Sequence, residues 1–179
     1  MEIITDPIVG AVRHTDSLGH EEDIIPGMVQ AMTAGSGIRH AERNPLDRET
    51  HLLQIWIEPR EEGLTPAHAS APTRVHDEPG RLHTLASPDG RDGSLVIHQD
   101  AIISAGVLGA GRSERLELDR SIAPQRHAWV QIVRGAARVL GETLGAGDGA
   151  AISGEPSFEV GADEETELLV FDLAYSFNQ

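Results

Sequence analysis

Residues Trp129–Ile152 read WVQIVRGAARVLGETLGAGDGAAI. A short apolar run, Trp129 to Val133, meets Gly135. A second short segment follows, and Gly145-Ala146-Gly147-Asp148-Gly149 supplies residues that tolerate φ > 0 and turn the chain into its next strand. The pattern predicts a hairpin closed by Gly135, with turns too close together to admit a helix of ordinary length. The same grammar holds outward in both directions. Leu52–Ile57, Leu95–His98 and Leu168–Leu173 are further short apolar runs, separated by turn clusters such as Asp16-Ser17-Leu18-Gly19, Pro26-Gly27 and Ser87-Pro88-Asp89-Gly90. Short runs between turns at intervals of about ten residues are the signature of an all-β barrel or sandwich.

The two halves echo one another. Pro26-Gly27 leads into MVQAMTAGSGIRH, and Gly145-Ala146-Gly147-Asp148 leads into GAAISGEP, so a duplicated barrel is expected. Between them, Glu58–Gly80 carries four prolines and little apolar periodicity. That composition predicts a partial first barrel over 1–58, a crossing linker over 59–80 and a second barrel over 81–179.

Composition narrows the chemistry. A hydrophobic fraction of 39% over 179 residues supports one sizeable core or two small ones. The formal charge of −15 repels phosphate backbones and anionic lipid, so neither direct nucleic-acid binding nor membrane binding is expected. Lys and Cys are both missing, which removes Schiff-base lysines, disulfides and thiolate metal sites and leaves His and carboxylates as metal ligands. The start, MEIITDPIVG, has no basic, apolar leader, and no stretch reaches the roughly 20 apolar residues of a membrane helix. The expected location is the cytoplasm.

Of the nine histidines, His20, His51, His68, His76, His83 and His98 are scattered and read as surface, turn or hydrogen-bonded residues. His127, beside Trp129, reads as a packed structural histidine. His40 and Glu42 stand apart. If Ile38–Glu42 is extended, their two-residue spacing points both side chains to one face, and an imidazole with a carboxylate is half a site for Fe(II), Mn(II) or Ni(II). A hydrogen-bonded His–Glu pair on an exposed strand is the competing reading. Gly109-Ala110-Gly111 lacks the third glycine and the βαβ context of a dinucleotide fingerprint.

The run Arg13–Asn44, RHTDSLGHEEDIIPGMVQAMTAGSGIRHAERN, closely resembles the signature of the pirin family around the second half of its first cupin. LLQIWIEP, RLHTLASPDGRDGSLVIHQDA, RHAWVQIVRG and LGAGDGAAI resemble the carboxy-terminal half of bacterial pirins, so the resemblance covers essentially the whole chain. It implies two jelly-roll-like cupin β-barrels and a metal held by two His of an HPH motif, then by a downstream His and Glu. The downstream pair falls on His40 and Glu42. Glu2 and Gly10 match a Glu and a Gly that follow HPH, so both upstream His fall before Met1 and the first barrel is expected to be incomplete at its N-terminus. Asp6-Pro7 sits where relatives carry an apolar strand, and the strand there is expected to be degraded or at an edge. An open edge invites a homodimer, which would bring in His14 or His20 as substitute ligands. In the second barrel, Ser121, Ala123, Pro124 and Ala128 occupy the ligand positions, so no metal site is expected there.

The family resemblance implies a quercetin 2,3-dioxygenase type of reaction, in which a mononuclear divalent metal (Fe, Mn or Ni) and O2 act on a flavonol-like small molecule. Glu42 would serve as ligand and as proton acceptor. With two of four ligands in hand, little or no activity is expected of the chain as written. The alternatives are a non-enzymatic binding or regulatory module and a shortened product of a pirin gene.

Overall fold

The structure, a computed structural model, describes residues 1–121 and 125–174. It is built of strands, and the one helical turn among the described residues is Arg91–Gly93. Two compact units divide the chain, residues 1–73 with 86–99 and residues 74–85 with 100–179.

In the first unit the strands are β1 (Glu2–Val9), β2 (Val12–Asp16), β3 (Glu21–Ile24), β4 (Met28–Thr33), β5 (His40–Arg43), β6 (His51–Ile57) and β7 (Ala67–Pro72). They form an antiparallel sheet in the order β6-β1-β4-β7 and a second in the order β3-β2-β5. Residues 82–87 form β8 (Leu82–Ser87), whose Ala86 and Ser87 pair in parallel with β9 (Leu95–Val96). The 59–80 segment holds β7, whose Pro72 lies on an outer strand, where a missing N–H costs no ladder bond.

The expectation for Asp6-Pro7 holds only locally. β1 is a continuous inner strand, with Glu2, Ile3, Ile4 and Thr5 all buried. Proline is tolerated because the ladder to β4 ends at Thr5 and the ladder to β6 shifts register between Pro7 and Val9, so pairing is already one-sided and irregular there.

The second unit holds β10 (Ala101–Leu108), β11 (Ser113–Glu117), β12 (Arg126–Arg134), β13 (Ala136–Val139), β14 (Glu142–Gly145), β15 (Gly149–Ser153), β16 (Ser157–Ala162) and β17 (Thr166–Ala174). One antiparallel run is β15-β12-β17-β10 and the facing sheet is β11-β16-β13-β14. Alternating burial along β12 and β16 turns Val130, Ile132, Phe158 and Val160 into a common core with Leu168 and Ala137. Each of the valine, isoleucine, leucine and phenylalanine side chains, fully buried, contributes about 1.5–3 kcal/mol. Arg126, with a side chain 1% exposed, is held by Asp172 at 2.7 Å and Asp100 at 2.6 Å.

The hairpin expected through Gly135 is corrected, since β13 pairs with β14 and β16, not with β12. Gly135 instead carries the chain from one sheet to the other. Its φ is +79°, and a Cβ would sit 2.3 Å from the Glu165 carbonyl oxygen and 2.8 Å from Thr166 Oγ1. Gly10 does the same between β1 and β2, with φ +82° and a Cβ 2.8 Å from the Glu49 carbonyl oxygen and 2.6 Å from Thr50 Oγ1. In both units the threonine hydroxyl donates to the residue after the glycine, Thr50 to Ala11 at 3.0 Å and Thr166 to Ala136 at 2.8 Å. The expected echo also appears in the turns: Met28 N–H donates to Ile25 and Asp148 N–H to Gly145. The same sheet-crossing device is built twice from the same residue types.

Candidate metal centre

Strand register gathers the polar residues of the first unit into two rows. Across β6, β1, β4 and β7, Gln54 is opposite Thr5, Thr5 opposite Gln30, and Gln30 opposite Ser70. Across β3, β2 and β5, Glu22 is opposite His14 and His14 opposite Glu42. The rows meet residue by residue. Gln54 Nε2 donates to Glu42 Oε2 at 2.5 Å, Thr5 Oγ1 donates to Glu42 Oε1 at 3.3 Å, Gln30 Nε2 is 3.5 Å from His14 Nδ1, and Ser70 Oγ donates to Glu22 at 2.8 Å.

His40 and Glu42, two apart on β5, share the face that looks at this row, with His40 solvent-accessible and the Glu42 side chain 18% exposed. His14, a residue of the same chain, joins them. One ligand atom each from His14, His40 and Glu42 lie within 4.8 Å of one another. His14 is fully buried, and its ring stacks on His68 at 4.7 Å, which in turn stacks on His20 at 4.8 Å. Asp16 ties the group together: its carboxylate, with no exposed side-chain surface, lies 3.2 Å from His14 Nε2 and 2.9 Å from His20 Nδ1. Burial alone would raise its pKa. The His20 and His14 rings and the backbone N–H groups of His20 and Leu18 overturn that and hold it well below the usual carboxylate range. Burial, reinforced by the charges of His14 and His20, pushes His68 down.

Sequence reading placed His20 and His68 among the scattered histidines, and the structure brings both to this cluster. A signal existed in His14-x-Asp16, the same alternating spacing as His40-x-Glu42, but only the β2–β5 register, Asp16 opposite His40, shows that the two pairs face together. His98 lies elsewhere, 3.5 Å from the buried Glu2 carboxylate. His83 contacts the Glu78 carbonyl at 2.9 Å, His76 reaches Glu167 at 3.6 Å, and His51 is exposed. In the second unit, His127 Nδ1 lies 2.7 Å from Ser153 Oγ, Ser121 is exposed and Ala128 is packed in the core, while Ala123 and Pro124 lie outside the described residues.

Two imidazoles and a carboxylate are the donor set that suits a first-row divalent metal with open positions for ligand and O2. The fit is supported by Gln30 Oε1, a buried oxygen in the same row with no hydrogen-bond partner. The Glu42 carboxylate, which could serve as a ligand, is oriented from outside: Gln54 fixes one oxygen, and Trp56 Nε1 donates to Gln54 Oε1 at 2.9 Å, holding the amide in turn.

Residues 1–57 match the pirin domain, and residues 84–173 match the quercetinase C-terminal cupin domain. The chain is 40% identical over 177 residues to a protein of Escherichia coli K12 named quercetin 2,3-dioxygenase, covering 97% of this chain and 72% of that one. The chain belongs to the pirin family. A pirin-like protein of Caulobacter vibrioides is 39% identical over 175 residues, covering 97% of this pirin and 74% of its relative. In three dimensions this pirin resembles a bacterial pirin from Escherichia coli solved in complex with nickel(II), with a TM-score of 0.88, 38% identity and coverage of 97% and 72% of the two chains. The all-β, two-cupin fold expected from the sequence is thereby shown. No helix among the described residues is long and apolar enough to cross a membrane.

Proposed function

We propose that this pirin is a quercetinase-type protein that acts on a flavonol-like small molecule at a mononuclear divalent metal held by His40 and Glu42. The observation that carries the reading is the convergence of these two side chains, with Glu42 clamped by Gln54 and Thr5, in a chain 40% identical to a protein named quercetin 2,3-dioxygenase. The nickel(II) complex of the Escherichia coli pirin supports a divalent metal, with Fe, Mn and Ni the candidates.

When bound, such a metal lowers the pKa of a coordinated hydroxyl and holds the anion next to O2. The chain's own residues supply the rest. Gln54 locks Glu42 Oε2, which leaves Oε1, met by Thr5 at 3.3 Å, as the oxygen that would turn to a metal, and the carboxylate is the group that would accept the hydroxyl proton. Trp56 is 61% exposed on the same face of β6 as Gln54, an aromatic surface suited to a planar ligand.

The test is elemental analysis of protein purified without chelators or a His tag, followed by quercetin turnover. Metal bound in near-stoichiometric amount, lost in a His40→Ala, Glu42→Ala variant together with any turnover, is the expected result. No metal and no turnover in the parent protein overturns the reading and favours a non-enzymatic binding role.

A further inference from the structure

We propose that His14 is a third protein ligand of this metal, binding through Nδ1, with Asp16 fixing its tautomer and orientation. The inference rests on the metal-site reading above and assigns it a residue that lies outside the His40–Glu42 pair.

The placement comes from backbone pairing. His14 and Asp16 alternate along β2 and are directly opposite Glu42 and His40, so all four point to one face. His14 Nδ1 lies 4.0 Å from Glu42 Oε1, and the His14 and His40 rings are 5.7 Å apart between centroids. Ligand atoms around a metal with bonds of about 2.1 Å stand roughly 3–4 Å apart, and the three lie within 4.8 Å of one another, so a metal would draw the widest pair together by about 1–2 Å.

The tautomer follows from the partners. The Asp16 carboxylate can only accept, so His14 Nε2, at 3.2 Å from it, carries the proton and Nδ1 keeps its lone pair for a metal. A carboxylate on the far nitrogen of a metal-binding imidazole is the usual way such rings are aimed. Asp16 cannot easily turn away, because the Leu18 and His20 N–H groups donate to Oδ1 at 2.8 and 3.1 Å and His20 Nδ1 holds Oδ2 at 2.9 Å. His68 packs flat on the His14 ring. At Nδ1 the competing neighbour is the Gln30 amide at 3.5 Å, the outer limit of a hydrogen bond, and Gln30 Oε1 is buried without a partner. An imidazole fixed on one side and loosely met on the other is poised for a metal.

The result is a two-His, one-carboxylate set within one chain, the arrangement that leaves positions open for an oxygenase substrate and O2. The homodimer is then not needed to supply this histidine.

The experiment is long-range imidazole 1H–15N NMR of the full chain titrated with Zn(II), beside calorimetric Ni(II) titrations of His14→Ala, Asp16→Asn and His40→Ala. Expected are metal-induced shifts at two imidazoles, one of them His14 Nδ1, a loss of about 100-fold in Ni(II) affinity for His14→Ala and of about 10-fold or more for Asp16→Asn. Circular dichroism checks that the variants fold, and the unsubstituted chain alone decides the NMR arm. Shifts confined to His40, with Ni(II) affinity unchanged by Asp16→Asn, overturn the role of His14 and leave the His40–Glu42 site standing. No Zn(II) or Ni(II) binding by the parent chain overturns both.

Discussion

Replacing Gln54 by Met tests how the carboxylate at the heart of the site is aimed. Glu42 Oε2 accepts a 2.5 Å hydrogen bond from the Gln54 amide, whereas Oε1 accepts a 3.3 Å bond from Thr5. Gln54 is itself held from behind by Trp56 Nε1 at 2.9 Å, so a chain of two bonds fixes the carboxylate plane. Methionine keeps the volume of the side chain and removes both bonds. Loss of an outer partner costs roughly 10–100-fold in metal affinity, or about 1.4–2.8 kcal/mol. The short bond carries most of that, so Gln54→Met should approach the upper end and Thr5→Val the lower, with Trp56→Phe between them. The assay is calorimetric titration with Ni(II) or Mn(II) at fixed pH. Equal affinities for Gln54→Met and the parent chain, under conditions where His40→Ala binds no metal, would refute the idea that Gln54 orients Glu42.

Arg126→Met removes the guanidinium that pairs with the Asp100 and Asp172 carboxylates in the second unit, and should destabilise the protein by about 3–5 kcal/mol in urea unfolding, with much of the loss recovered when both aspartates are also made Asn. Gly135→Ala places a Cβ 2.3 Å from a backbone oxygen at φ +79°, and should cost at least about 2 kcal/mol, against about 1 kcal/mol for Gly147→Ala, where φ is +88° but the space is open. Because the folded-state pKa of Asp16 is depressed, its contribution is present above the unfolded value of about 3.9 and lost as pH falls further, so Asp16→Asn should flatten the acid limb of a stability profile below about pH 4. A homodimer through an edge of the first unit remains a proposal, and sedimentation equilibrium at twice the 19.2 kDa chain mass would support it.

Part of the candidate site lay within reach of local pattern. His40 and Glu42 were legible because a two-residue spacing on a strand fixes a common face whatever the rest of the chain does. His14-x-Asp16 carries the same signal, but a second pair acquires meaning only when the strands are paired. Pro7 was legible in part: its missing N–H argues for an edge, which holds where the β4 ladder has ended, while the inner place of β1 as a whole is a property of the register with β4 and β6.

The sequence by itself determined the all-β class, the turns and the alternation that buries Val130, Ile132, Phe158 and Val160, because these depend on neighbours a few residues apart. Tertiary structure alone decided that Gly10 and Gly135 carry the chain between sheets, that Gln54 and Trp56 aim Glu42, and that His14, His20 and His68 gather behind His40. Register is the physical reason. A slip of one residue sends every side chain of a strand to the opposite face, and what selects the register is the sum of contacts between segments distant in sequence.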